Sequence, residues 1–131
     1  MRILIVEDDF DCRCILQLML SKYGLCHIAV DGEEAIDAYK KAVANGEPYD
    51  LICLDIMMPK MDGRRALQAI REYEKESGVV MEDSVKIVMI TALCDPKNIM
   101  GSFFDQCEGY LIKPFHAEKL RETLEDLHLI I

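Results

Sequence analysis

Residues 51–55 read Leu-Ile-Cys-Leu-Asp, four apolar residues followed by a carboxylate. Near-continuous apolar runs of this length are typical of strands in a parallel sheet whose two faces are both covered by helices. Three further apolar runs also lead into polar side chains. The run in residues 2–9 leads into Asp8 and Asp9, that in 85–91 into Thr91, and that in 110–113 into Lys113. If these runs are neighbouring parallel strands, their polar ends meet at the carboxyl-end edge of the sheet. Ligands bind at that edge in open α/β sheets.

Amphipathic stretches separate the apolar runs and predict a regular alternation of strands and helices. Five strand–helix units with right-handed crossovers give an α/β fold, a doubly wound parallel sheet of five strands flanked by five helices in three layers. We expect the whole chain, 1–131, to form a single domain. The expected strands are 2–7, 25–30, 49–55, 85–90 and 109–112, and the expected helices are 10–22, 33–45, 64–75, 96–106 and 115–128.

Composition excludes several classes of function. The formal net charge is −9, from 15 basic and 24 acidic residues, which argues against direct binding to nucleic acid or acidic membranes. No apolar run is long enough for a membrane span, and the start of the chain does not resemble a signal peptide, so we expect no membrane insertion. The six cysteines have no CxxC spacing, which favours reduced thiols in a cytoplasmic protein.

The polar residues at the strand ends suit phosphoryl chemistry. Asp8, Asp9 and Asp55 offer the hard oxygen ligands that Mg²⁺ prefers, and a bound cation would offset their mutual repulsion. Asp55 could then act as a nucleophile, because aspartate carboxylates form aspartyl-phosphate intermediates. Thr91 could donate a hydrogen bond to the phosphoryl oxygens, and Lys113 could supply a positive charge.

With these residues in this order, the chain resembles the receiver domain of bacterial two-component response regulators, in particular the stand-alone chemotaxis regulators. The resemblance covers essentially all 131 residues. Its marks are Val-Glu-Asp-Asp at 6–9, Asp-Ile-Met-Met-Pro-Lys-Met-Asp-Gly at 55–63, Thr-Ala at 91–92 and Lys-Pro-Phe at 113–115. The resemblance implies a flavodoxin-like sandwich with strand order 2-1-3-4-5.

The resemblance also implies a phosphorylation site and a metal site. Asp55 falls on the phosphoacceptor position. Asp9 and Asp55 fall on the side-chain ligands of Mg²⁺, Met57 on the residue that gives its backbone carbonyl, and Asp8 on the second acidic position. We therefore expect Mg²⁺ as the cofactor.

Three further residues are implied in phosphate binding and switching. Lys113 matches the lysine that pairs with the phosphoryl group, commonly followed by a cis peptide bond, here to Pro114. Thr91 matches the hydroxyl that moves toward the phosphoryl group. Tyr110 matches the aromatic residue that swings into the vacated space.

The function implied is a phosphorylation-activated switch. It would accept a phosphoryl group from a sensor histidine kinase or a histidine phosphotransfer protein. It would then bind a downstream protein through helix 96–106, strand 109–112 and the last helix, as a monomer or a phosphorylation-dependent dimer. It would catalyse only its own phosphorylation and dephosphorylation, and so would not be an enzyme with a free substrate.

Three other functions remain open at the level of sequence. A metal-dependent aspartyl phosphatase of the haloacid-dehalogenase type would place its nucleophile after strand one in a DxD pattern, whereas this strand is followed by adjacent aspartates. A flavodoxin-like electron carrier would need a Ser/Thr/Gly-rich phosphate cradle in the first loop, which is missing. A receiver-like scaffold that no longer accepts phosphate would not require Asp8, Asp9, Asp55, Thr91 and Lys113 to be present together.

Overall fold

A computed structural model of the chain describes residues 1–58, 63–92 and 106–130. The order of elements alternates strictly between strand and helix as far as β4. The strands are β1 (Arg2–Val6), β2 (Leu25–Ala29), β3 (Leu51–Asp55), β4 (Lys86–Ala92) and β5 (Gly109–Lys113). The α-helices are α1 (Phe10–Leu20), α2 (Gly32–Ala44), α3 (Gly63–Glu76) and α4 (Ala117–Asp126), and a short 3₁₀ helix spans Met81–Asp83.

The five strands form one parallel sheet in the order β2-β1-β3-β4-β5. This confirms the strand order implied by the resemblance. All five residues of β3 are buried, as expected for the central strand of a sheet covered on both faces. Strand β2 lies at an edge and is mostly exposed, as its mixed sequence predicts.

Two apolar cores lie on opposite faces of the sheet and create the three layers. Alternate residues of a strand point to opposite faces, so Leu4 and Val6 join one core while Ile3 and Ile5 join the other. The first core packs against α2 and α3, and the second packs against α1 and α4.

Two helices, α1 and α2, begin within one residue of their predicted starts. The Asp9 and Asp31 carboxylates accept hydrogen bonds from the backbone N–H groups of Cys12 and Glu34, which caps α1 and α2. Four α-helices fall within the described residues. The predicted helix at 96–106 lies, except for its last residue, outside them. No helix in the described ranges combines the length and apolarity needed to cross a membrane.

Candidate phosphoryl-acceptor site

The parallel register brings the ends of four strands to one edge of the sheet. Val6, the last residue of β1, pairs with Leu54, so Glu7 and Asp8 follow directly beside Asp55 at the end of β3. Farther along the same edge, Ala92 of β4 pairs with Lys113 of β5. Residues far apart in sequence therefore face one site.

Three carboxylates lie close enough together to hold a cation. Glu7, Asp8 and Asp55 each contribute one oxygen, and these oxygens all lie within 4.8 Å of one another. Glu7 and Asp55 are buried, while Asp8 is exposed at the mouth of the cluster. A set made only of carboxylate oxygens suits Mg²⁺, which keeps several waters and takes one or two protein carboxylates.

The structure corrects the prediction that Asp9 is a metal ligand. Strand β1 ends at Val6 rather than at residue 7, so Glu7 and Asp8 are the first two residues beyond it. Asp9 instead caps α1, with its Oδ2 accepting a hydrogen bond of 3.0 Å from the N–H of Cys12. That hydrogen bond also lowers the pKa of the Asp9 carboxyl group. The acidic pair of the site is therefore Glu7 and Asp8, one position earlier than predicted.

Sequence reasoning missed Glu7 as a site residue. Glu7 is part of the motif at 6–9, but the metal-binding roles were predicted for the two aspartates that follow it. The signal was present, because three consecutive acids follow the apolar run. Only the end of the strand decides which two of them face the site.

The phosphoacceptor candidate Asp55 is buried, with 4% of its surface exposed. Its Oδ1 accepts a hydrogen bond of 3.2 Å from the N–H of Met57. Burial, together with the hydrogen bond and negative charge of Glu7, raises the pKa of Asp55 to about 7, although Lys113 opposes the shift. The pKa of Glu7 is lowered, since its hydrogen bonds with Asp55 and Lys113 outweigh the effect of burial. The Asp55 carboxyl is therefore only partly ionised near neutral pH, and a bound cation would favour its ionised form.

Lys113 reaches into the cluster from β5. Its Nζ lies 2.8 Å from Oε1 of Glu7 and 3.7 Å from Oδ2 of Asp55. Burial alone would lower the pKa of Lys113, but the hydrogen bond to Glu7 and the nearby carboxylates raise it overall. The peptide bond to Pro114 is cis, as the resemblance implies.

Thr91 and Tyr110 occupy the same face of the sheet. Met89 and Thr91 share a face because they are two residues apart on β4, and Met89 pairs with Tyr110 of β5. Thr91 is buried, and Tyr110 has 39% of its surface exposed. This placement is compatible with a hydroxyl and an aromatic ring that move together, and the switch roles of both residues stay predictions.

Gly63 allows α3 to start directly against the phosphoacceptor strand. Its N–H donates a hydrogen bond of 2.9 Å to the carbonyl of Ile56. A Cβ atom at position 63 would lie 2.3 Å from the backbone oxygen of Asp55 and 2.9 Å from Cα of Ile56. Only glycine permits this approach without displacing the end of β3 at Asp55.

Residues 3–125 match the family described as "Response regulator receiver domain". The chain belongs to this family. It is a receiver domain of two-component signal transduction, and chemotaxis regulators are among its relatives.

The receiver is similar to the chemotaxis protein CheY of Treponema pallidum, with 34% identity over 125 residues that cover 94% of this chain and 79% of that protein. It spans only 10% and 47% of the length of other curated relatives that it matches. Receivers of this kind therefore occur both as most of a protein and as a small part of a larger one.

Two solved structures share the fold of this receiver. One is a complex of CheX, CheY, BeF₃ and Mg²⁺ from Borrelia burgdorferi, with a TM-score of 0.79, 27% identity, and coverage of 97% of this chain and 88% of that chain. The other is the complex of the Saccharomyces cerevisiae histidine phosphotransfer signaling protein Ypd1 with the receiver domain of its downstream response regulator Ssk1. It has a TM-score of 0.75, 28% identity, and coverage of 100% and 92%.

Proposed function

We propose that this receiver accepts a phosphoryl group on Asp55 and changes its binding to a partner protein as a result. The observation that carries the proposal is the position of Asp55, a buried carboxylate that belongs to the acidic cluster and lies 3.7 Å from the ammonium of Lys113. Phosphoryl transfer depends mainly on positioning and charge stabilisation, and these residues provide both.

The acidic cluster fits a magnesium ion. Asp8 and Asp55 would hold it through their carboxylates and Met57 through its backbone carbonyl, with Glu7 beside them. When bound, the cation would supply positive charge for the phosphoryl oxygens and remove the repulsion among the carboxylates. Asp9 is not part of this proposed set.

The residues of the chain supply the rest of the transfer. An ionised Asp55 carboxylate oxygen attacks the phosphorus of a phosphohistidine and a P–O bond forms. The P–N bond breaks with its electron pair going to the ring nitrogen, and the proton on the other ring nitrogen makes the leaving group a neutral imidazole. Lys113 would neutralise one phosphoryl oxygen, and Thr91 would donate a hydrogen bond to another. The reaction is the receiver's own modification, so we do not regard it as an enzyme that acts on a free substrate.

The proposed phosphoryl donor is a sensor histidine kinase or a histidine phosphotransfer protein. The Ypd1–Ssk1 complex supports this choice, because it joins a similar receiver to a histidine phosphotransfer protein. The output would be a downstream protein that binds near β5 and α4, with the receiver as a monomer or a phosphorylation-dependent dimer. We place the receiver in the cytoplasm, where the free thiols of its described cysteines would stay reduced.

Phosphorylation of Asp55 can be tested with a small phosphodonor. Acetyl phosphate with Mg²⁺ should add one phosphoryl group to the wild-type protein, as measured by intact mass. The label should disappear in Asp55→Asn and in the presence of a chelator, but persist in Asp37→Asn, which alters an exposed aspartate of α2. Labelling of Asp55→Asn at the wild-type level would reject the assignment. A wild-type protein that takes no label under any condition would favour a scaffold.

A further inference from the structure

The carboxylate of Glu7 is held in one position by the surrounding chain. Its side chain is fully buried, and its Oε2 accepts a hydrogen bond of 3.3 Å from the N–H of Asp9. Its backbone N–H donates to the carbonyl of Ala29 at 3.1 Å, and its carbonyl accepts from the guanidinium of Arg13 at 3.3 Å. The other carboxylate oxygen, Oε1, lies 2.8 Å from Nζ of Lys113, and the Glu7 side chain also contacts the Asp55 carboxyl group.

Within the described residues, Lys113 is the only cation that forms an ion pair with Glu7. The Nζ–Oε1 distance of 2.8 Å is that of a charge-assisted hydrogen bond, whereas the distance of 3.7 Å to Asp55 is too long for one. Removing the cation from a buried carboxylate leaves an uncompensated charge, which is strongly unfavourable. The ammonium is therefore hydrogen-bonded to Glu7, and it lies near Asp55 without a hydrogen bond to it.

We propose that Glu7 is a positioning residue that holds the ammonium of Lys113 away from Asp55 in the resting receiver. The contact with Glu7 therefore competes with the contact between Lys113 and a phosphoryl group on Asp55. The inference deepens the proposed function and rests on it. Glu7 also belongs to the acidic cluster, so a cation bound there would compensate its charge when Lys113 leaves.

The side-chain length of Glu7 is what makes the contact. An aspartate at this position would keep the charge but withdraw the carboxylate by one methylene. Glu7→Asp should therefore loosen the resting pair and lower the cost of moving Lys113 to the phosphoryl group. A phosphoryl mimic on Asp55 then competes with a weaker contact between Lys113 and residue 7. Glu7→Asp should therefore bind the mimic more tightly than wild type does.

The first experiment identifies the partner of Lys113 in the wild-type protein. In metal-free, isotope-labelled protein, NMR of the lysine ammonium groups should show a slowly exchanging Lys113 signal with a through-hydrogen-bond coupling to a glutamate carboxyl carbon. Beryllofluoride with Mg²⁺ should abolish that coupling. Lys119, whose side chain is 64% exposed, is the internal control and should give no protected signal. A coupling to an aspartate carbon, no protected signal, or a coupling that survives beryllofluoride would overturn the inference.

The second experiment measures beryllofluoride affinity at saturating Mg²⁺. Glu7→Asp should bind on the order of tenfold more tightly than wild type, the equivalent of about 1.4 kcal/mol. Glu118→Asp, at an exposed position of α4, should bind as wild type does. A purely structural role for Glu7 would lower stability without tightening binding, and that result would overturn the inference. If Glu7→Asp does not fold, the wild-type NMR experiment decides.

The two proposals fail in distinguishable ways. If wild-type protein does not bind beryllofluoride at all in the presence of Mg²⁺, the proposed function fails. If wild type binds it and Glu7→Asp binds equally well or more weakly, only the anchoring role of Glu7 is rejected.

Discussion

Asp8 and Asp9 are adjacent in sequence, yet they have different partners in the structure. Asp8 contributes an oxygen to the acidic cluster, and Asp9 caps α1. We expect Asp8→Asn to weaken Mg²⁺ binding at least tenfold, because it removes a charged ligand. Asp9→Asn should stay within about twofold of wild type, because it leaves the cluster intact and asparagine is also a good N-cap.

Isothermal titration calorimetry with Mg²⁺ would measure both affinities under the same conditions. The two variants control for each other, since each replaces one carboxylate by an amide of the same shape at the same end of α1. An equal loss of affinity in Asp9→Asn would restore Asp9 as a ligand and contradict the geometry described above.

At the level of single residues, the sequence predicts that polar side chains meet at one sheet edge, but it does not give the register at the end of β1. Asp55 and Lys113 could be placed because each ends an apolar run and is also the last residue of its strand. The end of β1 could not be placed in this way, since Glu7 could equally have been the last residue of the strand. Its burial depends on Lys113, 106 residues away in sequence, and on the carbonyl of Ala29 in a neighbouring strand. Such tertiary contacts leave no local pattern.

At the level of elements, Glu74 joins α3 to the rest of the fold. It lies four residues after Ile70 on the buried face of the helix, with 3% of its surface exposed. Its carboxylate accepts hydrogen bonds from the hydroxyls of Tyr39 and Ser84, the N–H of Val85 and the guanidinium of Arg71, at 2.7–3.0 Å. These donors lower the pKa of Glu74, although burial alone would raise it.

We expect Glu74→Gln to destabilise the domain by about 1–3 kcal/mol at neutral pH, since an amide cannot satisfy all these donors. The folded-state pKa is below the ordinary value of 4.5, so the stabilising contribution is present above that value. It is lost as the pH falls through the folded-state pKa. The difference between variant and wild type should therefore shrink under acid conditions.

Urea unfolding of the two proteins at neutral pH and below 4.5 would measure this difference. Glu72→Gln is the matched control, because it makes the same substitution at an exposed position of α3 and should be nearly neutral. A difference that is constant across pH would contradict the role of the ionised carboxylate.

Sequence analysis did not single out Glu74. The apolar pattern of α3 gives no indication of a buried carboxylate whose partners lie on other elements.

Gly63 is the second element-level feature with a testable consequence. A methyl group at this position meets the backbone of the strand that carries Asp55. We expect Gly63→Ala to displace the end of β3 at Asp55 and to lower the rate of phosphorylation by acetyl phosphate at least tenfold, at a cost in stability of about 1–3 kcal/mol.

The control for Gly63→Ala is Gly109→Ala. Among the described residues, the Cβ added at position 109 would meet only the side-chain Cγ2 of Thr123, at 3.7 Å, which is an ordinary contact. Phosphorylation of Gly109→Ala should therefore match wild type. Phosphorylation of Gly63→Ala at the wild-type rate would contradict this role of Gly63, because the end of β3 would then accommodate the added methyl group.

At the level of the whole molecule, the adjacent strands β3, β4 and β5 link Asp55 to the outer edge of the sheet. Asp55 of β3 pairs with Ile90 of β4, and the next residue, Thr91, pairs with Ile112 of β5. The parallel sheet and its layers followed from the apolar runs, because burial on both faces demands continuous apolar strands. The strand order needed the resemblance, since the apolar pattern does not specify neighbours. The predicted helix at 96–106, part of the expected responsive surface, lies outside the described residues but for residue 106.

The connection through these strands predicts that Tyr110 responds to phosphorylation of Asp55. The chain has no tryptophan, so Tyr110→Trp introduces a single fluorescent reporter. Its emission should shift to shorter wavelength when beryllofluoride is added in the presence of Mg²⁺, because a ring that is 39% exposed would move inward. Leu18→Trp, at a 77% exposed position of α1, should show no shift, and neither should Tyr110→Trp combined with Asp55→Asn. Two outcomes would contradict a response of Tyr110 to phosphorylation of Asp55. One is a shift that persists in the variant with Asp55→Asn, and the other is no shift in Tyr110→Trp alone.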